Sequence, residues 1–230
     1  MAPLLHITDL GCRDFSSVRS LQERLVALRR DSAVPDTLLF CSHPPVVTAG
    51  RATTPAELAA ARPALQAAGI PLVPCERGGR LTYHSPGQVI LYPLVRLEGP
   101  ERDLHAFQRG LEETARTALA ELGLSASLRE GYPGLWVGPA KLASLGIAVR
   151  HWVTWHGLAL NVEGDLSPFG LFAPCGINQL AVTSLSREME AAPDRRRLQE
   201  SLAAAFCRRF RREGRWVPPA EICPQDVGTG

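Results

Sequence analysis

The 230-residue sequence predicts an α/β fold of the α+β type, a mixed β-sheet with flanking helices. Three observations carry that expectation. Short apolar, strand-like runs dominate the middle of the chain. Stretches with helical spacing of apolar residues alternate with them unevenly. No internal repeat or low-complexity linker divides the sequence. The length suits one large domain or two small ones, and we read residues 1–217 as a single domain and 218–230 as an irregular, Pro-rich tail.

The elements follow in order. Leu4 to Leu10 reads as a strand. Asp14 to Arg29 reads as a helix with Val18, Leu21, Leu25 and Leu28 on one face and Ser16 or Ser17 as its cap. Thr37 to Cys41 is a strand broken by His43-Pro44-Pro45 and resumed over Val46 to Thr48. Thr54-Pro55-Ala56-Glu57 combines a Thr cap, Pro at the first helical position and Glu three residues after the cap. The helix it starts ends near Gly69. Ile70 to Pro74, Leu81 to His84 and Gln88 to Leu97 are strands. A helix from Arg102 or Asp103 to Leu122 carries the stripe Leu104, Phe107, Leu111, Ala115, Ala118 and Leu122. Strand-like runs follow over Ser125 to Arg129, Gly134 to Val137, Lys141 to Arg150 and His151 to Val162. The last helix spans Asp194 to Arg212, with Leu198, Leu202, Ala205, Phe206 and Phe210 inward.

Composition narrows the function. The chain is 45% hydrophobic and 21% charged with a net charge of +2, too small to argue for nucleic acid. The N-terminus lacks the basic region and apolar run of a signal peptide, and no segment is long and apolar enough to span a membrane. The expectation is a soluble, cytoplasmic protein. The six cysteines, at 12, 41, 75, 175, 207 and 223, include no C-x-x-C pair. A zinc site and a disulfide framework are therefore not expected.

Of 25 Lys and Arg residues, only Lys141 is lysine. Arginine serves everywhere else as the cation. A guanidinium does not lose its proton, whereas a desolvated ammonium can, so Lys141 is the first candidate for acid–base chemistry. The plainer alternative is a buried amine making one hydrogen bond.

The densest motif is Arg77-Gly78-Gly79-Arg80-Leu81-Thr82-Tyr83-His84-Ser85-Pro86-Gly87-Gln88. Its paired glycines allow a ligand to approach bare backbone. Thr82 and His84, two apart on a strand, face one side. A plain β-hairpin is the alternative. In Lys141-Leu142-Ala143-Ser144-Leu145-Gly146, alternation puts Lys141, Ala143 and Leu145 on one face, with Gly146 marking a bulge or close backbone contact. In His156-Gly157-Leu158-Ala159-Leu160-Asn161 a glycine interrupts an apolar strand. In Pro174-Cys175-Gly176 a cysteine sits on a tight turn. A free thiol has a pKa near 8.5, and a nearby ammonium favours its thiolate. A Cys175–Lys141 pair therefore suits acyl transfer through a covalent intermediate.

These four ordered blocks resemble the lipoyl(octanoyl) transferase family, octanoyl-acyl-carrier-protein:protein N-octanoyltransferases, over most of the chain. The resemblance implies a fold similar to the catalytic domain of biotin and lipoate ligases. It implies that Cys175 carries the octanoyl group as a thioester and that Lys141 acts on the thiol and in proton transfer. Arg77, Gly78, Gly79, Arg80, Leu81, Thr82, Tyr83 and His84, with Ser144, Leu145, Gly146, Gly157, Leu158 and Ala159, would line the acyl site. No cofactor and no metal is implied. The implied donor is octanoyl-acyl carrier protein. The implied acceptors are lipoyl domains of 2-oxoacid dehydrogenase subunits and the glycine cleavage H protein. His84 has three open roles: orienting Lys141, binding substrate or shaping the pocket. Backbone amides of Gly78-Gly79 or of 144–146 are candidate oxyanion donors. The Arg-rich last helix reads either as a solvated helix or as a docking surface for the acidic carrier. Two rival readings stay open: an ATP-using ligase of the same fold, and a non-catalytic acyl or carrier-binding module.

Overall fold

The computed structural model describes residues 2–174 and 180–222. Among these, a seven-stranded mixed sheet runs β10-β1-β2-β6-β9-β8-β7. Its strands are β1 (Leu4–Cys12), β2 (Asp36–Ser42), β6 (Gln88–Leu94), β7 (Gly134–Val137), β8 (Ala140–Arg150), β9 (Val153–Asn161) and β10 (Glu213–Trp216). β10, β1 and β2 are parallel and the rest pair antiparallel. A smaller sheet, β4-β3-β5, is built from β3 (Val46–Ala49), β4 (Leu72–Pro74) and β5 (Leu81–His84).

The parallel pair β1–β2 is joined by the crossover helix α1 (Phe15–Arg30), the connection that parallel strands require. Asp14, not Ser16 or Ser17, caps α1: its carboxylate accepts the Ser17 amide at 3.0 Å. Helix α2 (Pro55–Ala67) starts with the expected capping box between Thr54 and Glu57. β8 and β9 form a hairpin whose two turn residues, His151 and Trp152, both have positive φ. That is the twist-matched geometry of a two-residue hairpin, reached here without glycine.

Helix α3 (Leu104–Glu121) and helix α5 (Arg195–Phe210) cover one face of the large sheet, with Phe107, Leu111, Leu198, Leu202 and Phe206 packed on Leu38, Leu91 and Leu158. α1 covers the other face through Val18, Leu25 and Val26. Several expected core positions move. Leu28 and Leu104, at helix ends, are exposed, and α3 instead buries Leu119. The expected strand over Ser125 to Arg129 reduces to one bridge, Ser127–Trp136. β10, a short helix α4 (Leu185–Glu188) and the one-turn helix α6 (Pro219–Ile222) had no expected counterpart. α6 replaces irregular chain in the described part of the tail, and buries Ile222 against the α1 side of the sheet. Among the described residues, no helix is long and apolar enough to cross a membrane.

Candidate active site

A cavity of about 480 Å³ opens between β5 of the small sheet and β6, β8 and β9 of the large one. It gathers three of the four sequence blocks. Arg77 to Thr82, His84, Lys141, Ser144 to Gly146, and Gly157 to Ala159 all line it. Tyr83 does not: strand alternation turns it to the opposite side of β5, where it meets the Phe169 ring edge-on at 5.5 Å. Cys175 lies outside the described residues.

The first wall is the Gly78-Gly79 loop. The Arg77 guanidinium is spent on structure: Nη2 donates to the Thr48 carbonyl at 2.6 Å, and Nε and Nη2 donate to Thr48 Oγ1. The loop then lies flat on β8. The Gly78 amide donates to the Ile147 carbonyl at 2.9 Å, which removes it from the candidate oxyanion donors. A Cβ at Gly146 would stand 2.7 Å from the Gly78 carbonyl oxygen. Gly146 is therefore a close backbone contact, one of the two roles expected of it.

Beneath this loop runs a directed chain of hydrogen bonds. Arg77 donates to Thr48 Oγ1, and Thr48 Oγ1 lies 3.3 Å from His84 Nε2. His84 Nδ1 lies 3.2 Å from Gln88 Oε1. Gln88 Nε2 donates to Asn161 Oδ1, and Asn161 Nδ2 donates to the Thr183 carbonyl. Because Gln88 uses its amide nitrogen elsewhere, its oxygen accepts, which assigns the His84 proton to Nδ1. Nε2 then accepts from Thr48. Burial, reinforced by the nearby His43 and Arg77, holds the His84 pKa well below the usual imidazole value. His84 is a neutral connector between the blocks, and this favours shaping the pocket among its open roles.

The deep end of the cavity is aromatic. Phe15 stacks with His84 at 6.1 Å and with His156 at 6.4 Å, and Tyr92 meets His156 edge-on. His156 adopts φ 55° inside β9, a costly conformation for a non-glycine residue. Its amide is held by the buried Gln22 Oε1 at 2.8 Å. Burial and the surrounding arginines lower its pKa to about 3. Next to it, a Cβ on Gly157 would stand 2.2 Å from the Leu91 carbonyl oxygen, so the glycine lets β9 lie against β6.

Lys141 enters the cavity wall through a β-bulge. β7 pairs Leu135 with Ala143 but Trp136 with Lys141, skipping Leu142. Leu142 and Ala143 both join the core under α3 and α5. Lys141 lines the cavity with Ser144 and Leu145, its Nζ 5.4 Å from the centre of the Trp136 ring. Plain alternation, which grouped Lys141 with Ala143 and Leu145, fails for Ala143 because of the extra residue. The Lys141 backbone is clamped by the returning chain: its amide donates to Ala181, and its carbonyl accepts from Thr183.

Phe15, Ile90, Tyr92, Gln108, Tyr132 and Pro133 also line the cavity without having been expected there. Tyr92 lies in an apolar run and Phe15 stands alone between Asp14 and Ser16; neither carries a motif of its own. No described cysteine lines the cavity. Burial pushes the Cys41, Cys75 and Cys207 thiols up.

The pattern of the lipoyl protein ligase A/B catalytic domain matches residues 15–207. An octanoyltransferase of Chloroflexus aggregans is 39% identical over 90% of this chain and 95% of that protein. Among solved structures, the bipartite lipoate protein ligase of Thermoplasma acidophilum superposes with a TM-score of 0.72 at 17% identity, over 96% of this chain and 89% of that one. The biotin protein ligase of Aquifex aeolicus, in complex with biotin and ATP, gives 0.54 at 15% identity, over 90% and 70%. The two ligase likenesses establish the fold.

Proposed function

The chain belongs to the lipoyl protein ligase A/B catalytic-domain family and is an acyltransferase of its octanoyltransferase group, and from that premise we propose a Cys175–Lys141 mechanism of octanoyl transfer. The donor is octanoyl-acyl carrier protein. The acceptor is a specific lysine of lipoyl domains, in 2-oxoacid dehydrogenase subunits and the glycine cleavage H protein. Residues 1–217 form the catalytic unit, acting in the cytoplasm at the first step of lipoate synthesis.

The observation that carries this reading is the single buried amine of the chain, placed in the wall of a cavity that the sequence blocks enclose. Val182, seven residues beyond Cys175 in the sequence, pairs with Lys141. In the first step the Cys175 thiolate attacks the donor thioester carbonyl. The carrier thiolate leaves and takes up a proton, and one thioester replaces another. In the second step the acceptor amine attacks the acyl-enzyme, the amide forms, and Cys175 leaves as thiolate. The amine must lose a proton as it attacks, and in this reading Lys141 receives it and passes it on. The inner cavity wall of Phe15, Ile90 and Leu158 is apolar and buried. It suits the acyl tail at about 0.8 kcal/mol per buried CH₂.

Lys141→Arg tests the proton-transfer role, because it keeps the charge and abolishes the proton exchange. Steady-state transfer to a lipoyl domain should slow by about a hundredfold or more. Turnover near the wild-type rate would reduce Lys141 to a counter-charge.

A further inference from the structure

Helix α3 carries one carboxylate where its inward face should be apolar. Glu112 is 8% exposed, between Leu111 and Ala115 of the core stripe. It lies one turn beyond Gln108, which lines the cavity, on the same side of the helix. Its Oε1 accepts the Gly134 amide at 2.8 Å.

Gly134 is also the residue packed on the Lys141 stem. At φ 125° a Cβ there would stand 2.1 Å from the Ala143 carbonyl oxygen and 3.0 Å from Lys141 Cε. Gly134 therefore touches both the Glu112 carboxylate, through its amide, and the Lys141 side chain. The Glu112 pKa is raised, because burial outweighs the Gly134 hydrogen bond and the Lys141 charge that pull it down. The other charges acting on Glu112 are Arg109 and Glu113 of its own helix. Lys141 meets the Trp136 ring on β7 and is itself buried. An ammonium taken from water needs a compensating charge, and a buried carboxylate is costly unless it has a purpose or a partner.

We propose that Glu112 is a positioning residue for Lys141, its carboxylate fixed by the Gly134 amide so that a buried negative charge holds the amine in the cavity wall. The inference rests on the catalytic reading of Lys141. It goes beyond that reading by giving the Cys–Lys pair a third member that touches no substrate.

The chain's solitary lysine makes the test direct. Protein grown with ¹⁵N-lysine shows a single Nζ signal, which can be followed against pH in wild type, Glu112→Gln and Glu112→Asp. Glutamine keeps an oxygen for the Gly134 amide and removes only the charge. In Glu112→Gln the Nζ transition should move to lower pH. The kcat for octanoyl transfer should fall about tenfold or more, with KM for the carrier substrate nearly unchanged. Glu112→Asp, which retains the charge but withdraws it, should show a smaller shift in the same direction, and it serves alone if the Gln protein does not fold. An Nζ transition that stays in place in the folded variant overturns the proposal. If Lys141→Arg keeps wild-type turnover, the catalytic reading fails by itself, and the Nζ titration still decides whether Glu112 holds the amine.

Discussion

Three imidazoles, those of His43, His84 and His156, are packed around the Phe15 ring, and burial lowers the pKa of each from the ordinary 6.5. In the unfolded chain each takes up a proton as the pH drops below that value. In the folded protein each stays neutral to lower pH, His156 down to about 3. The unfolded state therefore binds the extra protons. Stability that is complete above pH 6.5 is lost as the pH falls toward the folded values. Each histidine adds at most about 1.4 kcal/mol per pH unit to that slope. Urea denaturation from neutral pH down to about pH 5 should show the loss, and His156→Gln should flatten it by about one proton. A slope that does not change on removing His156 would contradict its burial in the neutral form. Sequence pattern gave no sign of this cluster, because His43 read only as part of a chain break and Phe15 only as one residue within the first helix. The cluster forms because α1, β2, β5, β6 and β9 converge, which local periodicity does not report.

At the scale of elements, the site depends on how tightly β8 accepts its neighbours. The skipped Leu142 rotates Lys141 out of the core and into the cavity, and the missing Cβ at Gly146 lets the Gly78-Gly79 loop rest on the strand. Gly146→Ala drives a methyl group against the Gly78 carbonyl oxygen. The overpacking should cost about 1–3 kcal/mol of stability and raise KM for the acyl donor more than it lowers kcat. Thermal unfolding and steady-state kinetics check both, and an unchanged KM would mean that the loop does not border the substrate. The blocks themselves were legible in the sequence. Paired glycines, a Thr-x-His strand and a glycine inside an apolar strand are each unusual enough to point to close backbone packing, and all of them meet at the cavity. The bulge was not legible, because nothing in Lys141-Leu142-Ala143 marks which residue the neighbouring strand will skip. Tyr83 was misplaced for a simpler reason: a contiguous motif was taken whole, although a strand sends alternate residues to opposite sides.

At the scale of the whole molecule, one arginine near the C-terminus joins the end of α5 to the sheet. Arg212, buried behind α5, donates to Asp36 of β2 at 2.8 Å and to Glu101 at 2.9 Å, and its guanidinium holds the Glu101 carboxyl below its usual pKa. Arg208 pairs with Glu121 of α3, Arg196 with Glu200, and Arg195 donates to the Gln88 carbonyl. Arg196 and Arg208 are exposed, as a solvated helix face has them, whereas Arg212 is buried. Arg212→Met removes one of the two guanidiniums that pair with the buried Asp36 carboxylate, leaving Arg29 at 2.7 Å, and should destabilise the protein by about 1.5–3 kcal/mol, measured by urea denaturation; a loss near zero would show the Arg212 pair to be dispensable. The mixed sheet and its main helices were readable from periodicity and caps. β10 was not, because Glu213-Gly214-Arg215-Trp216 has no strand pattern of its own and is held by pairing with β1. The proposed mechanism turns on one covalent event, the arrival of an octanoyl group on the Cys175 sulfur. Intact-mass spectrometry of the protein mixed with octanoyl-acyl carrier protein, without ATP, measures it directly. The wild-type protein should gain one hydroxylamine-labile octanoyl group, and the gain should disappear in Cys175→Ala. An adduct that persists in that variant, or no adduct while a lipoyl domain is still modified, would contradict the mechanism.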